Sequence, residues 1–127
     1  MSGSLHVGME DWEEFEVDDR LLTDAGGTLS TKVLSTPGMI AMMEKTASKL
    51  VYPALEDGKA TVGFELNVKH VGAARKGARC KAHARLDEIV DGRKLRFSVE
   101  VTAEDGRTIG LGQHERRVID TGGDHAG

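Results

Sequence analysis

The second half of the chain alternates between hydrophobic and polar residues with a period of two. In "RCKAHARLDEIV" one face carries Cys80, Ala82, Ala84 and Leu86, and in "KLRFSVEVTAE" one face carries Leu95, Phe97, Val99, Val101 and Ala103. The connections "VDGRK" and "EDGRT" each contain Asp-Gly, which is typical of tight β-hairpins. The pattern therefore predicts three consecutive strands joined by hairpins over residues 78–119, in an antiparallel sheet with one face in water.

Two further segments resemble strands. The stretch "ATVGFELNVKH" predicts a strand with one face formed by Ala60, Val62, Phe64, Leu66, Val68 and His70. Near the start of the chain, "DWEEFEVDD" predicts a short strand anchored by Trp12 and Phe15. The segment "LLTDAGGTLSTKVLST" is rich in glycine, serine and threonine, and we expect it to be a loop or a short irregular helix.

A buried helix is predicted to start at Thr36. Threonine as the cap, followed by Pro37 in the first helical position, is a favoured helix start. The helix is apolar around most of its circumference, so it belongs in the core, and Pro53 predicts its end near Tyr52. A strand, a loop, a buried helix and four strands indicate an α+β fold, with one long central helix wrapped by a curved antiparallel sheet.

Composition narrows the class of protein. The 127 residues fit a single domain over residues 1–127, and we expect flexible ends at about 1–8 and 121–127. The net charge of −4 argues against nucleic acid or an anionic membrane as a partner, and the chain has no apolar run of the roughly 20 residues that a membrane span needs. Cys80 is the sole cysteine, which excludes an internal disulfide and a cysteine-rich metal site. We therefore expect a cytoplasmic protein without metal or cofactor.

Three polar residues are candidates for chemistry. Glu44 fits the helix's polar stripe beside Lys45 and Lys49, or it is a carboxylate desolvated by methionines that acts as nucleophile or general base. His70 is either a satisfied histidine at the edge of the core or an imidazole at the rim of a pocket. Thr36 is most simply a helix cap, although its hydroxyl would also suit an anionic oxygen.

Other candidates concern binding. Gly38 and Gly63 could let a substrate approach the backbone closely, although a glycine within a strand, such as Gly63, often just marks a bulge. Arg75, Lys76 and Arg79 form a solvated face or a seat for a phosphorylated ligand. His114 and Glu115 are adjacent on a strand, so they point to opposite faces and are a poor metal pair.

Taken together, these residues resemble one known family. The segment "STPGMIAMMEKTASKLVYPALEDGKATVGFELNVKHVGAARKG", followed by "GLGQHERRVI", resembles the fluoroacetyl-CoA thioesterase-like branch of the hot-dog superfamily over about residues 33–119. The marks are a threonine at a helix start, a glutamate eight residues later, a histidine that ends the next strand, and a closing "HER".

The resemblance implies specific roles. Thr36, Glu44 and His70 fall on the family's catalytic residues, Gly63 on a glycine beside the acyl group, and Arg116 on an arginine near the same pocket. It also implies a hot-dog fold, an acyl-CoA substrate, thioester hydrolysis, and a homodimer, or a tetramer built from it, with active sites at the subunit interface.

The spacing of the marks makes the dimer testable. Eight helical residues rise about 12 Å, so Thr36 and Glu44 of one chain cannot both contact the carbonyl group of one substrate. We therefore expect Glu44 of one subunit to meet the helix start of the other; proximity of the two side chains within one chain would refute this.

The acyl group is expected to differ from that of the fluoroacetyl-CoA enzyme. In that enzyme phenylalanines before the helix cover the acyl pocket, whereas "DAGGTLSTKVLST" contains no aromatic residue. A softer lid of Leu29, Val33 and Leu34 favours a short or medium acyl chain. The alternatives are a hot-dog hydratase or dehydratase and a non-catalytic module that binds or senses acyl-CoA.

Overall fold

The computed structural model describes residues 4–121, so residues 1–3 and 122–127 of the expected flexible ends lie outside it. One helix and seven strands make up the fold: β1 (Glu10–Glu16), β2 (Leu22–Thr23), β3 (Val33–Leu34), α1 (Thr36–Val51), β4 (Lys59–His70), β5 (Arg79–Val90), β6 (Lys94–Ala103) and β7 (Thr108–Asp120). Short 3-10 turns cover Asp19–Leu21 and Tyr52–Ala54. No helix between residues 4 and 121 is long and apolar enough to cross a membrane.

Five strands form one antiparallel sheet in the order β1-β5-β6-β7-β4. The predicted run of three hairpin-linked strands is confirmed as β5, β6 and β7. At the first hairpin Asp91 (φ 57°) and Gly92 (φ 66°) both have left-handed backbones. This conformation matches a tight primed turn, whose twist suits the flanking strands.

The helix α1 lies across one face of this sheet, as the apolar pattern predicts. Met39, Met43, Ala47 and Val51 are completely buried on the helix. They belong to the same core as the inward-facing residues of β5 and β6, which include Ala82, Leu86, Leu95 and Phe97. Each large apolar side chain buried in this way contributes about 1.5–3 kcal/mol. The predicted α+β architecture is confirmed.

The edge strand β4 contains a bulge directly after Gly63, as the alternative interpretation of this strand glycine predicts. Gly63 pairs with Arg116 and Glu65 with Glu115 of β7, so Phe64 has no partner. The extra residue reverses the side-chain alternation. Leu66, Val68 and His70 face the helix, whereas Val62 and Phe64 are exposed on the other face. The predicted single face from Ala60 to His70 is therefore wrong.

Two smaller expectations also need correction. Phe15 anchors β1 in the core, but Trp12 is 49% exposed and stacks on His83 with ring centroids 4.6 Å apart. The segment before the helix is more regular than a loop, because β2 and β3 pair with each other there. Leu34 on β3 is 1% exposed and belongs to the core.

Candidate active site

The helix start differs from the prediction in one residue. Ser35, and not Thr36, is the cap: its Oγ accepts a hydrogen bond of 2.9 Å from the amide of Gly38. The buried Gly38 packs against the chain at Leu21, where an added Cβ would lie 3.0 Å from the Leu21 carbonyl oxygen. Because Ser35 satisfies the cap, the hydroxyl of Thr36 is free for another partner.

That partner is His70, at the end of β4. Thr36 Oγ1 and His70 Nδ1 are 2.8 Å apart, although 34 positions separate the residues in sequence. Thr36 is exposed and His70 is half-buried, so the pair lies at the rim of the core. The hydrogen bond orients the imidazole, and within residues 4–121 the other ring nitrogen, Nε2, has no hydrogen-bond partner. An imidazole held in this way can transfer a proton at Nε2.

Glu44 lies beside Gly63 in a second group of residues, the Glu44 cluster (Glu44, Gly63, His114 and Arg116). A Cβ built on Gly63 would lie 2.7 Å from Glu44 Oε2, 3.6 Å from His114 Cε1 and 3.7 Å from Arg116 Nη1. A glycine is therefore required at position 63 for the carboxylate to sit where it does. The space beside the Gly63 backbone is therefore bordered by the Glu44 carboxylate, the His114 imidazole and the Arg116 guanidinium.

The two β7 members of the Glu44 cluster are deeply buried. Arg116 is 7% exposed, and its guanidinium donates to Thr61 Oγ1 and to the Thr61 carbonyl oxygen at 2.8 and 3.0 Å. Burial lowers the pKa of Arg116, but an arginine remains charged. His114 is 2% exposed, and burial lowers its pKa, so its imidazole is neutral near pH 7.

The Thr36–His70 pair and the Glu44 cluster lie far apart in one chain. Gly63 and His70 are seven residues apart on β4, and a strand rises about 3.3 Å per residue, which separates them by roughly 20 Å. One chain therefore does not bring Thr36 and Glu44 together, and the outcome that would refute a composite site is not observed.

The predicted basic patch is partly neutralised. Lys76 pairs with Asp19 at 3.1 Å and Arg79 with Glu14 at 3.5 Å, in exposed salt bridges that contribute little to stability. Arg75 forms an isolated β-bridge with Val33, so its backbone lies beside the segment that leads into the helix start.

Two residues of this region are absent from the sequence-based candidates. Thr61 and His114 contact Arg116. Of the two, only His114 has a signal in the sequence, because it is the first residue of the closing "HER". His114 and Glu115 point to opposite faces, as the sequence predicts: His114 contacts Arg116, and Glu115 accepts hydrogen bonds from Arg96 and Arg117. No group of three potential metal ligands occurs within residues 4–121.

Comparisons with known proteins agree with the fold and with the family that the sequence resembles. The profile of the family described as "Fluoroacetyl-CoA-specific thioesterase" matches residues 17–122. The fluoroacetyl-CoA thioesterase of Streptantibioticus cattleyicolor is 37% identical over 89 residues, which cover 69% of this chain and 62% of that protein.

Solved structures of thioesterases also resemble this chain. The fluoroacetyl-CoA thioesterase FlK superposes with a TM-score of 0.85 at 26% identity, covering 98% of this chain and 95% of that chain. A Thermus thermophilus protein described as a thioesterase superfamily member superposes with a TM-score of 0.84 at 25% identity, covering 95% and 88%. The resemblance and the hot-dog fold are confirmed, and the chain belongs to the fluoroacetyl-CoA-specific thioesterase family.

Proposed function

We propose that this protein is an acyl-CoA thioesterase that hydrolyses a short or medium acyl thioester to a carboxylate and free CoA. The observation that carries the proposal is the position of Glu44. This half-buried residue of α1 borders Gly63 of β4 and Arg116 of β7. Family membership supports the reaction class. An FlK variant, one of the structural neighbours, has been solved in complex with fluoroacetate and CoA.

The active site is assembled from two subunits. β4 is an edge strand, so its outer hydrogen-bonding groups are open to a second strand. A two-fold axis through Asn67 would pair β4 with its copy in antiparallel fashion. This pairing sets His70 of one subunit opposite Gly63 and Phe64 of the other. Each Thr36–His70 pair then meets the Glu44 cluster of the other chain, and the dimer has two such sites.

The reaction replaces the carbon–sulfur bond of the thioester by a carbon–oxygen bond. Glu44 either attacks the carbonyl carbon, giving an anhydride that water then opens, or takes the proton of the attacking water. His70, oriented by Thr36, transfers the proton that the departing thiolate needs. Backbone amides near Gly63 or at the helix start stabilise the oxyanion. The chemistry requires no cofactor.

The acyl pocket is less enclosed than one lidded by aromatic residues. Of the three proposed lid residues, Leu34 is in the core, so only Leu29 and Val33 can cover the site. Leu29 is 42% exposed on the loop before β3. An open, aliphatic cover favours a short or medium acyl chain over selection of a fluorinated group. Arg75, beside the helix start, together with Lys76 and Arg79, provides positive charge for the phosphates of CoA.

The reaction is tested with Glu44→Gln on a panel of acyl-CoA esters, with detection of the free thiol. Loss of general acid–base chemistry lowers kcat by about 10²–10⁴-fold. Glu65→Gln is the matched control and retains activity, because Glu65 lies on β4 and pairs with Glu115 on the face of the sheet that points away from the helix. Hydrolysis by Glu44→Gln at the wild-type rate would contradict the catalytic role. Ligand binding without wild-type hydrolysis would favour a sensor, and hydration of an enoyl ester without thiol release would favour a hydratase.

The dimer is tested with Asn67→Cys. An axis through Asn67 brings the two introduced thiols within reach of a disulfide, so oxidation yields a covalent dimer on a non-reducing gel. Gln113→Cys is the control, because Gln113 pairs with Asn67 one strand further from the edge. Its two copies would be roughly 14 Å apart at a strand spacing of about 4.8 Å. The native Cys80 is buried and gives little background. Equal cross-linking of both variants, or of neither, would contradict this pairing.

A further inference from the structure

Arg116 is a buried cation whose hydrogen-bond partners are all neutral. Its Nε and Nη2 donate to the hydroxyl and the carbonyl oxygen of Thr61, and its Nη1 lies 3.2 Å from His114 Nε2. Among residues 4–121, neither Arg116 nor Glu44 forms a salt bridge. Arginines are seldom buried unless they are paired, so this arrangement calls for an explanation.

The negative charge of Glu44 lies close to Arg116 without contacting it. The point beside Gly63 that lies 2.7 Å from Glu44 Oε2 also lies 3.7 Å from Arg116 Nη1. The carboxylate and the guanidinium therefore flank one small space. A bidentate ion pair would be the ordinary outcome for such neighbours, and here it does not form.

Thr61 and His114 explain why the two charges stay apart. Thr61 occupies two guanidinium nitrogens and His114 the third. His114 Nδ1 lies 2.9 Å from the carbonyl oxygen of Glu65, which can only accept, so the proton of the neutral ring is on Nδ1. Its Nε2 is consequently an acceptor for Arg116. The ring also stacks on the buried Phe97.

We propose that Thr61 and His114 are positioning residues that hold the Arg116 guanidinium beside Glu44 and out of direct contact with it. The inference rests on the proposed catalytic role of Glu44. A direct ion pair would occupy the carboxylate oxygens that must reach the thioester carbonyl or the water. A guanidinium held at a distance balances the charge of the carboxylate and leaves those oxygens open to the substrate.

The test is Thr61→Val, which keeps the shape of the side chain and removes the acceptor hydroxyl. We expect kcat to fall by about tenfold or more, because the guanidinium loses its Nε hydrogen bond and shifts towards Glu44, pivoting on its remaining contacts with the Thr61 carbonyl oxygen and His114, while KM changes by less than about twofold. Thr61→Ser restores the hydroxyl and the rate. Thr102→Val, a matched substitution on β6 away from the cluster, leaves both constants unchanged.

A double-mutant cycle separates positioning from a general structural effect. In an Arg116→Gln background there is no guanidinium to hold, so Thr61→Val causes no further loss of kcat. Arg116→Met, which keeps the side-chain length, replaces Arg116→Gln if the latter lowers the melting temperature. An equal loss of kcat from Thr61→Val with and without Arg116 would overturn the inference.

The inference and the proposed function fail in distinguishable ways. If Glu44→Gln is inactive and Thr61→Val keeps the wild-type kcat, only the positioning role is wrong. If Glu44→Gln remains active, the proposed function is wrong. A crystal structure of Thr61→Val adds a readout without substrate: we expect the guanidinium in hydrogen-bond contact with Glu44, and an unmoved guanidinium would contradict the inference.

Discussion

Gly63→Ala is a sharp test of whether the position of Glu44 matters. The substitution adds one methyl group that points at the carboxylate, 2.7 Å from Glu44 Oε2. Its distances to His114 Cε1 and Arg116 Nη1, 3.6 and 3.7 Å, are ordinary contacts. The backbone at Gly63 is not in the left-handed region, so alanine fits there without strain.

The size of the effect follows from these distances. Ordinary contact begins at about 3.4 Å, so the carboxylate oxygen must withdraw by roughly 0.7 Å from its present 2.7 Å. Misplacing a reacting group by about 1 Å can cost 10²-fold in rate, so we expect kcat to fall roughly ten- to a hundredfold. The stability should not fall, since Gly→Ala at a compatible position stabilises a protein by about 0.4–1 kcal/mol.

The assay is steady-state release of free thiol from the best acyl-CoA of the panel. Thermal melting and size-exclusion chromatography of the same preparation check that the fold and the subunit assembly are retained. A folded, normally assembled Gly63→Ala protein with a kcat within twofold of wild type would refute the reasoning, because the carboxylate would then tolerate displacement. A fall in melting temperature would instead show that the methyl group disturbs the sheet.

Three further outcomes are expected. Ser35→Ala removes the helix cap and lowers the free energy of unfolding by about 1 kcal/mol in urea titrations; an unchanged value would mean that the cap hydrogen bond contributes nothing. Gly110→Ala places a Cβ against Met39 Sδ in the core, closer than van der Waals contact, and this overpacking should cost about 1–3 kcal/mol in the same measurement. Unaltered stability would indicate that the Met39 side chain moves freely. Burial depresses the pKa of His114 below its ordinary value of 6.5, so the unfolded chain takes up this proton first and wild-type stability falls as the pH drops below that value. In His114→Gln the loss of stability at low pH is smaller. An identical pH dependence of stability in both proteins would contradict this role of His114.

The elements that depend on local sequence could be predicted. The helix α1 and the hairpins of β5, β6 and β7 follow from apolar periodicity and from Asp-Gly turns, which act over a few residues. The choice between Ser35 and Thr36 as the cap could not be made in this way, since both residue types cap well. It is decided by packing, because the Ser35 amide donates to the Leu21 carbonyl oxygen at 2.7 Å.

The candidate site could be predicted only in part. Thr36, Glu44 and His70 were identified by their resemblance to a family, and the structure adds the contact between Thr36 and His70. Thr61 and His114 could not be found from local pattern, because they contact Arg116 only once β4 and β7 are paired in their bulged register. Trp12 shows a smaller limit: it lies three positions from Phe15 on a regular strand, so only one of the two can face the core, and the packing shows that Phe15 does.

The bulge at Phe64 also decides how many residues of β4 can separate the two half-sites, which are the Thr36–His70 pair and the Glu44 cluster, if both are to face the helix. Gly63 and His70 differ by seven positions, an odd number, and residues an odd number apart on a regular strand point in opposite directions. The single unpaired residue changes that parity, so both half-sites lie on the helix side of β4. The number of residues between the glycine and the histidine and the presence of the bulge are therefore linked, because together they decide which face each residue points to. In a relative with a regular β4, the glycine and the histidine must be an even number of residues apart.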